Sequence, residues 1–436
     1  MRSLTMKKFW RGLIVLVASL SVWAAAAPTS VAAATNVDVN AKAAVAVDAK
    51  SGQILYQKNA DQPLPIASMT KMISLYLVLQ AIHDGKLKWT DTISPDNAIY
   101  TLAKDTSLSG VPLEPENKYT IKELYQASVI YSANDAMMLL ANAVAGSQPK
   151  FVTQMDDLLK GWGISDAKIV NVTGLNNSEL KTDRVPGTPA NAENEMSAKD
   201  MAIVAKHLLN DYPEILDTTK ISSMMFRRGT SDQTKMDNYD WMLPGRVSAQ
   251  KDLPVDGLKT GTTDLAGNCF TGTAKKNGYR LITVVLNAGG TAVTRRFDQT
   301  AKLMRAVFAD WKPLTATTKN QAVAGHQALK VDKGKQSSVA LRAADTVSVL
   351  VPTSATTKDL RYTYVPAKGM AKQAAAPVKK GATAGALTVD AKGEKLTYLG
   401  NAAGNQTKLT AAKTVEKAGF FTLLFRGIGE FFGNLF

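Results

Sequence analysis

The chain has 436 residues, 45% of them hydrophobic and 20% charged. That is room for two or three globular domains and excludes a disordered or fibrous chain. A single cysteine excludes an intramolecular disulfide framework. The three histidines, His83, His207 and His326, show no ligand spacing. Neither a zinc centre nor a serine–histidine–aspartate triad is supported, and no metal or other cofactor is expected. The formal net charge is +15, and the basic residues are dispersed without a nucleic-acid motif, which points to an anionic envelope rather than nucleic acid.

At the start, Arg2, Lys7, Lys8 and Arg11 precede an apolar run from Leu13 to about Val22, then small residues at 24–27 and 32–34. This is the order of a secretory signal peptide, residues 1–34, with cleavage expected near Ala34 and Ala27 as the second choice. Its apolar core is shorter than the about 20 residues of a membrane span. The segment carries four positive charges and no acid, which leaves +11 for the remainder.

From residue 43 onward, strands and helices alternate. Ala43–Val47 and Ser51–Tyr56 read as a hairpin with Gly52 at its tip. From Ser68 to Ile82 the residues Met72, Ile73, Leu75, Tyr76, Leu79 and Ile82 repeat at helical spacing, so Ser68 stands at a helix start. Ile121–Ile130 and Asp135–Ala145 read as helices with Ser132-Ala133-Asn134 in the break between them. Met196–Leu209 is a helix with Ser197 as N-cap. Lys259-Thr260-Gly261 precedes an expected strand at Cys269–Ala274, where Cys269 reads as a small buried side chain. Tyr279–Leu286 pairs with that strand, and Thr294–Trp311 is a helix.

After Pro313 the segments Ser337–Leu341, Thr346–Val351, Leu360–Val365, Ala386–Val389 and Lys395–Leu399 are short and β-prone. They predict a small all-β domain at 316–405, after a first domain at 35–315. In the last segment, 406–436, Phe421, Leu424, Phe425, Ile428, Phe432 and Leu435 share one helical face. Thr422, Arg426, Glu430 and Asn434 occupy the opposite face. This helix is too short to span a bilayer and reads as one lying in a membrane surface.

Ser68-Met69-Thr70-Lys71, Ser132-Ala133-Asn134 and Lys259-Thr260-Gly261 carry chemistry only in combination. A serine hydroxyl needs a neighbouring base to become a nucleophile. Lys71, three residues on, shares a helix face with Ser68, and burial beside other cations would favour its neutral amine. A loop hydroxyl such as Ser132 can relay a proton to a leaving nitrogen, and the Asn134 amide can hold a substrate carbonyl. Lys259 offers charge, Thr260 a hydroxyl, and Gly261 a place where substrate meets backbone closely. Each segment taken alone is equally a helix cap, a turn or a strand entry.

Together with Pro65-Ile66-Ala67 ahead of Ser68, Met196-Ser197-Ala198-Lys199-Asp200-Met201, and Asp256-Gly257-Leu258 ahead of Lys259, these motifs make the chain resemble the serine-type D-alanyl-D-alanine carboxypeptidases, low-molecular-mass penicillin-binding proteins. The similarity runs from about Ala43 to Trp311. It implies an α/β (α+β) catalytic domain of the serine β-lactamase and transpeptidase kind, with a central antiparallel sheet and helices. A small all-β domain and a C-terminal amphipathic helix would follow. It also implies Ser68 as acylated nucleophile, Lys71 as base, and Ser132, Asn134 and Lys259 in proton transfer and substrate binding. Thr260 and Thr262 would bind the terminal carboxylate, and the Ser68 and Thr262 N–H groups would form the oxyanion hole. The implied partners are the D-Ala-D-Ala end of peptidoglycan stem peptides, β-lactam inhibitors and a membrane surface. The implied place is the outer face of the cytoplasmic membrane.

The chain departs from its relatives in having Thr262 where an aromatic residue or histidine is common. It also has no upstream arginine for the substrate carboxylate in Asn238–Trp241. A β-lactamase would need a deacylating glutamate with asparagine four residues on; Glu179, Glu193 and Glu195 lack that partner. A non-catalytic wall-binding protein is the remaining reading of the charge and the β domain.

Overall fold

The structure, a computed structural model, describes residues 35–433 apart from 372, 394 and 401–403. The expected signal peptide and the last residues of the C-terminal helix, Asn434, Leu435 and Phe436, lie outside the described residues.

Strands β1 (Ala41–Asp48) and β2 (Ile54–Lys58) form the expected hairpin, with Gly52 at a φ of 76° in its turn. They join β3 (Val255–Thr263), β4 (Gly267–Lys276) and β5 (Tyr279–Ala288) in a five-stranded sheet of order β2-β1-β5-β4-β3. The pairings β1–β2, β1–β5, β5–β4 and β4–β3 are all antiparallel. The chain's first and last strands of this unit thus meet at the centre of one sheet, which leaves β3 as an edge.

Strand β1 is apolar at nearly every position because it is covered on both faces. Ala43, Val45 and Val47 join one core, while Ala44 and Ala46 join the other. The first core packs under α1 (Lys71–His83), α2 (Ile121–Ile130), α3 (Asn134–Ala145) and α4 (Ala198–Asp211). The second packs under α5 (Arg295–Asp310) through Phe297, Met304 and Val307. The result is a helix–sheet–helix sandwich. Thr120 caps α2 and Ser197 caps α4, each with a reciprocal capping box.

The all-β unit begins earlier and ends later than 316–405. Strand β6 (Trp311–Thr317) already pairs with β9 (Val347–Pro352). A six-stranded sheet combines β10 (Leu360–Pro366), β12 (Thr383–Ala391), β13 (Gln406–Ala411), β8 (Ser338–Ala343), β7 (Ala328–Asp332) and β11 (Ala374–Ala375), in that order. β13 buries Leu409 in that sheet's core, so the unit extends past 405 and α6 starts only at Phe420, running to Gly433.

Lys395–Leu399 is not a strand of this sheet. It reaches across to the β1–β2 hairpin, where Ile54 N donates to Thr397 O at 2.8 Å and Leu399 N donates to Gly52 O at 2.9 Å. Beside it, buried Gln53 bonds both ways with Leu350, its Nε2 donating at 2.7 Å and its Oε1 accepting at 2.9 Å. The two units are therefore joined by backbone-like hydrogen bonds rather than by a linker alone.

Gly174 has a φ of +82°, and a Cβ there would overlap the Ala67 carbonyl oxygen and stand 2.7 Å from Thr70 Oγ1. Gly174→Ala should therefore displace the turn carrying Ser68 and cost about 2 kcal/mol or more in chemical unfolding. Gly146→Ala is the control: its φ is +78° but the space beside it is open. It should cost about 1 kcal/mol and leave the Ser68 turn in place.

Candidate active site

Ser68 lies in a 3-10 turn, Ala67–Thr70, ahead of α1. Ala67 takes a φ of +47°, which bends the chain sharply before the serine. Buried Met69 plugs the turn into the core, and Asn194 Nδ2 holds it by donating to Thr70 Oγ1 at 2.9 Å. Ser68 itself stays partly exposed while Lys71, the first residue of α1, is fully buried. Lys71 Nζ is 3.0 Å from Ser68 Oγ, 2.6 Å from Asn134 Oδ1 and 2.9 Å from Thr173 O. Asn134 Oδ1 and the Thr173 carbonyl can only accept. A neutral amine must then give them its two N–H groups and turn its lone pair to Ser68.

The charge state follows from the surroundings. Burial holds Lys71 well below the ordinary lysine range, nearby Lys259 lowers it further, and Asp135 opposes them. Asp135 is itself buried and pushed up to about 7 by desolvation. Its oxygens accept from Val111 N and Ala136 N rather than pairing with Lys71.

The second segment sits where α2 ends and α3 begins. Ser132 takes a φ of +55°, which turns its hydroxyl toward the third segment: Lys259 Nζ donates to Ser132 Oγ at 2.8 Å. Lys259 is buried and lowered to about 7 by desolvation first and by Arg296 second, with Asp240 opposing. Asn134 is committed inward. Its Oδ1 faces Lys71 and its Nδ2 donates to Ser109 O at 2.9 Å, so one amide proton remains to offer a substrate.

Lys259-Thr260-Gly261 lies inside strand β3, not ahead of a strand as the sequence predicted. Gly261 is needed for a different approach from the one expected. A Cβ there would stand 2.6 Å from the Ile66 carbonyl oxygen and 3.2 Å from the Ala67 Cβ, so its hydrogen lets β3 lie against the Ser68 turn. Cys269 pairs with Gly261 across β3 and β4 and is buried. Burial pushes its thiol up to about 11, which suits a packing residue.

Sequence reasoning missed Arg296. It lies in the first turn of α5, buried, and donates from Nη1 to Gly261 O (2.9 Å) and Cys269 O (3.1 Å). Its Nη2 donates to Thr262 Oγ1 (2.6 Å) and Asn268 Oδ1 (2.9 Å). All of these acceptors are neutral, and burial lowers the guanidinium to about 10. A readable signal existed: Arg296, Thr300, Leu303 and Val307 fall on one helical face, the buried one.

Ser68, Ser132, Thr260, Gly261, Thr262 and Arg296 line one open cleft of about 270 Å³, walled by Tyr239 and Trp241. Tyr239 stacks on Tyr131 with centroids 5.5 Å apart. None of the three glutamates weighed for deacylation lines this cleft. Glu193 accepts from Thr263 Oγ1 at 2.6 Å, Glu195 pairs with Lys168, and Glu179 lines a separate cavity. Among the described residues no group of three His, Cys, Asp or Glu is placed to hold a metal.

A family model described as D-alanyl-D-alanine carboxypeptidase, peptidase S11, matches residues 29–290. A second, described as penicillin-binding protein 5, C-terminal domain, matches residues 311–417. The D-alanyl-D-alanine carboxypeptidase DacF of Bacillus subtilis is 30% identical over 393 residues, covering 89% of this chain and 90% of that protein. A Streptococcus pneumoniae structure described as a peptidoglycan synthesis regulatory factor (PBP3) is 33% identical, with a TM-score of 0.74. It covers 87% of this chain and 100% of that one. Penicillin-binding protein D2 of Listeria monocytogenes, in its cefotaxime-bound form, is 29% identical with a TM-score of 0.51, over 63% of this chain and 99% of that one. A match of this length, on the domain that carries the serine–lysine cleft, shows that the chain belongs to the serine-type D-alanyl-D-alanine carboxypeptidases of the low-molecular-mass penicillin-binding protein family.

Proposed function

We propose that the chain is exported and removes the terminal D-alanine from peptidoglycan stem pentapeptides through a Ser68 acyl-enzyme, in cell-wall maturation and shape. The observation that carries this reading is Lys71 Nζ, desolvated and held 3.0 Å from Ser68 Oγ by two acceptors that leave its lone pair free. Ser68 Oγ bonds to the penultimate D-alanine carbonyl carbon and its proton passes to Lys71. The oxyanion is stabilised by the Ser68 and Thr262 N–H groups. The C–N bond breaks as the leaving amine takes a proton through Ser132, and water then hydrolyses the ester.

The terminal carboxylate meets Thr260, Thr262 and, through Thr262, Arg296. A buried guanidinium surrounded only by neutral acceptors favours an anion in the adjoining cleft. β-Lactams acylate Ser68 and leave slowly, because Glu193 and Glu195 are bonded elsewhere and Glu179 lines a different cavity, so none is placed to serve a deacylating water. The exposed apolar side chains of α6 support attachment to a membrane surface. No helix among the described residues is long and apolar enough to cross a membrane.

Incubation with benzylpenicillin should add one acyl group that peptide mapping locates on Ser68. Ser68→Ala should abolish that adduct and lower D-alanine release from a pentapeptide about ten-thousandfold or more; undiminished release sinks the mechanism. A chromogenic cephalosporin should give a long-lived acyl-enzyme rather than rapid turnover.

The pH profile has a definite sign. Lys71 must be neutral, so the rate rises as pH climbs through its lowered pKa. Lys259 must be protonated, so the rate falls as pH climbs through about 7. Arg296→Gln removes a cation that lowers Lys259. It should shift the descending limb to higher pH and raise KM for a carboxylate-bearing peptide at least about tenfold. An unmoved limb with unchanged KM would show that Arg296 acts on neither.

A further inference from the structure

Charge is partitioned sharply between the two units. Residues 35–310 contain 30 basic and 30 acidic side chains, whereas 311–417 contain 17 basic and 6 acidic. The positive excess of the chain after residue 34 therefore belongs to the β unit. Part of it is gathered by backbone pairing at one place, the root of α6. Three segments converge there. Gly334 pairs with Lys417, Val378 pairs with Val415, and Val331 and Asp332 pair with Ala374 and Ala375. Lys335 N donates to Glu416 O at 2.7 Å, Ala418 N to Lys333 O at 2.8 Å, and Lys380 N to Thr414 Oγ1 at 3.0 Å.

These pairings bring Lys333, Lys335, Lys379, Lys380, Lys413 and Lys417 together, all exposed, against two exposed acids, Asp332 and Glu416. Helix α6 starts three residues after Lys417. Phe420, Phe421 and Phe425 are 74%, 71% and 69% exposed; Phe420 and Phe421 meet edge to face with centroids 5.7 Å apart, and all three rings remain open to solvent. Arg426 fastens the helix to the lysine-bearing loop, its Nη1 donating to Gly334 O at 3.2 Å and its Nη2 to Lys335 O at 3.3 Å.

We propose that these six lysines form a collar that recognises the anionic headgroups of a phospholipid bilayer, so that the protein selects anionic membrane instead of binding any apolar interface. The inference rests on the reading of α6 as a surface helix and adds the lipid class to it. The physical reason is that one apolar element gives marginal, reversible attachment, and stable attachment takes a second signal. Basic side chains next to the insertion point supply it at about fivefold in affinity each, through the surface potential of anionic lipid. The Arg426 contacts matter because they present charge and apolar helix to one plane together. A bilayer is favoured over a soluble anionic wall polymer because the lysines gather at the root of the helix that bears the exposed phenylalanines instead of on a sheet face remote from it.

Vesicles of phosphatidylcholine and vesicles containing phosphatidylglycerol, sedimented with the purified protein at low and high salt, test the collar. The protein should bind the anionic vesicles more tightly, and salt should remove the difference. Lys333→Gln, Lys379→Gln and Lys413→Gln combined should lower binding to anionic vesicles on the order of a hundredfold. They should leave the phosphatidylcholine value and D-alanine release from a soluble peptide unchanged. Phe421→Ser with Phe425→Ser should instead weaken binding to both vesicle types, which tests the helix separately. Equal, salt-independent binding to both vesicle types overturns the collar and spares the helix. An unaffected phenylalanine variant overturns the helix reading. Retention on purified cell wall with no preference for anionic vesicles overturns the collar in favour of a wall polymer.

Discussion

Three buried cations, Lys71, Lys259 and Arg296, share one end of the sheet without an acidic partner in hydrogen-bond contact. That arrangement costs the fold solvation that neutral acceptors only partly return. The rest of the catalytic unit is arranged around keeping it dry and ordered. Its consequence is graded: burial lowers both lysines most, Arg296 lowers Lys259 further, and Lys259 lowers Lys71 further. The outermost cation stays charged and faces where a carboxylate would sit. The innermost is driven toward the neutral amine that a serine proton can enter.

The nearby acids do not cancel this field. Asp135 and Asp240 are both buried and pushed up to about 7 by desolvation. Asp135 spends its oxygens on backbone N–H groups that fix the start of α3. Asp240 accepts from Met242 N through one oxygen, and its other oxygen is buried without a partner. Neither reaches a lysine directly, so each tempers the cations without quenching them. A direct ion pair to Lys71 would have favoured its protonated form and opposed the base role proposed for it.

Position is supplied by parts that carry no charge. Gly174 backs the Ser68 turn, Gly261 lets β3 close against it, and positive φ at Ala67 and Ser132 aims two hydroxyls into one cleft. Strain of this kind persists only where surrounding packing over-determines it, and Met69, Leu258 and Ala133 are all in the surrounding core. The β unit is fixed to the far edge of the same sheet through Gln53 and the Lys395–Leu399 segment. Its basic end and α6 are thereby tied to the body that carries the cleft.

Much of this was written in the sequence, because it is local. Helical spacing after Ser68, the break at Ser132-Ala133-Asn134, the capping serine at 197 and the β1–β2 hairpin depend on neighbours within a few residues, and so did the serine–lysine pairing three positions apart. What the sequence could not determine depends on contacts between distant segments. Lys259 lies within an edge strand only because β4 pairs beside it. Lys395–Leu399 left its expected sheet because an inter-unit hydrogen-bond partner was available. Arg296 joined the site because α5 buries its first turn against β3 and β4. The collar of lysines exists only where three segments, separated by tens of residues, are drawn together by backbone pairing. Sequence sets chemistry and local bend; only the tertiary structure decides which charges are desolvated together, since burial is a property of neighbours that the chain brings from far away.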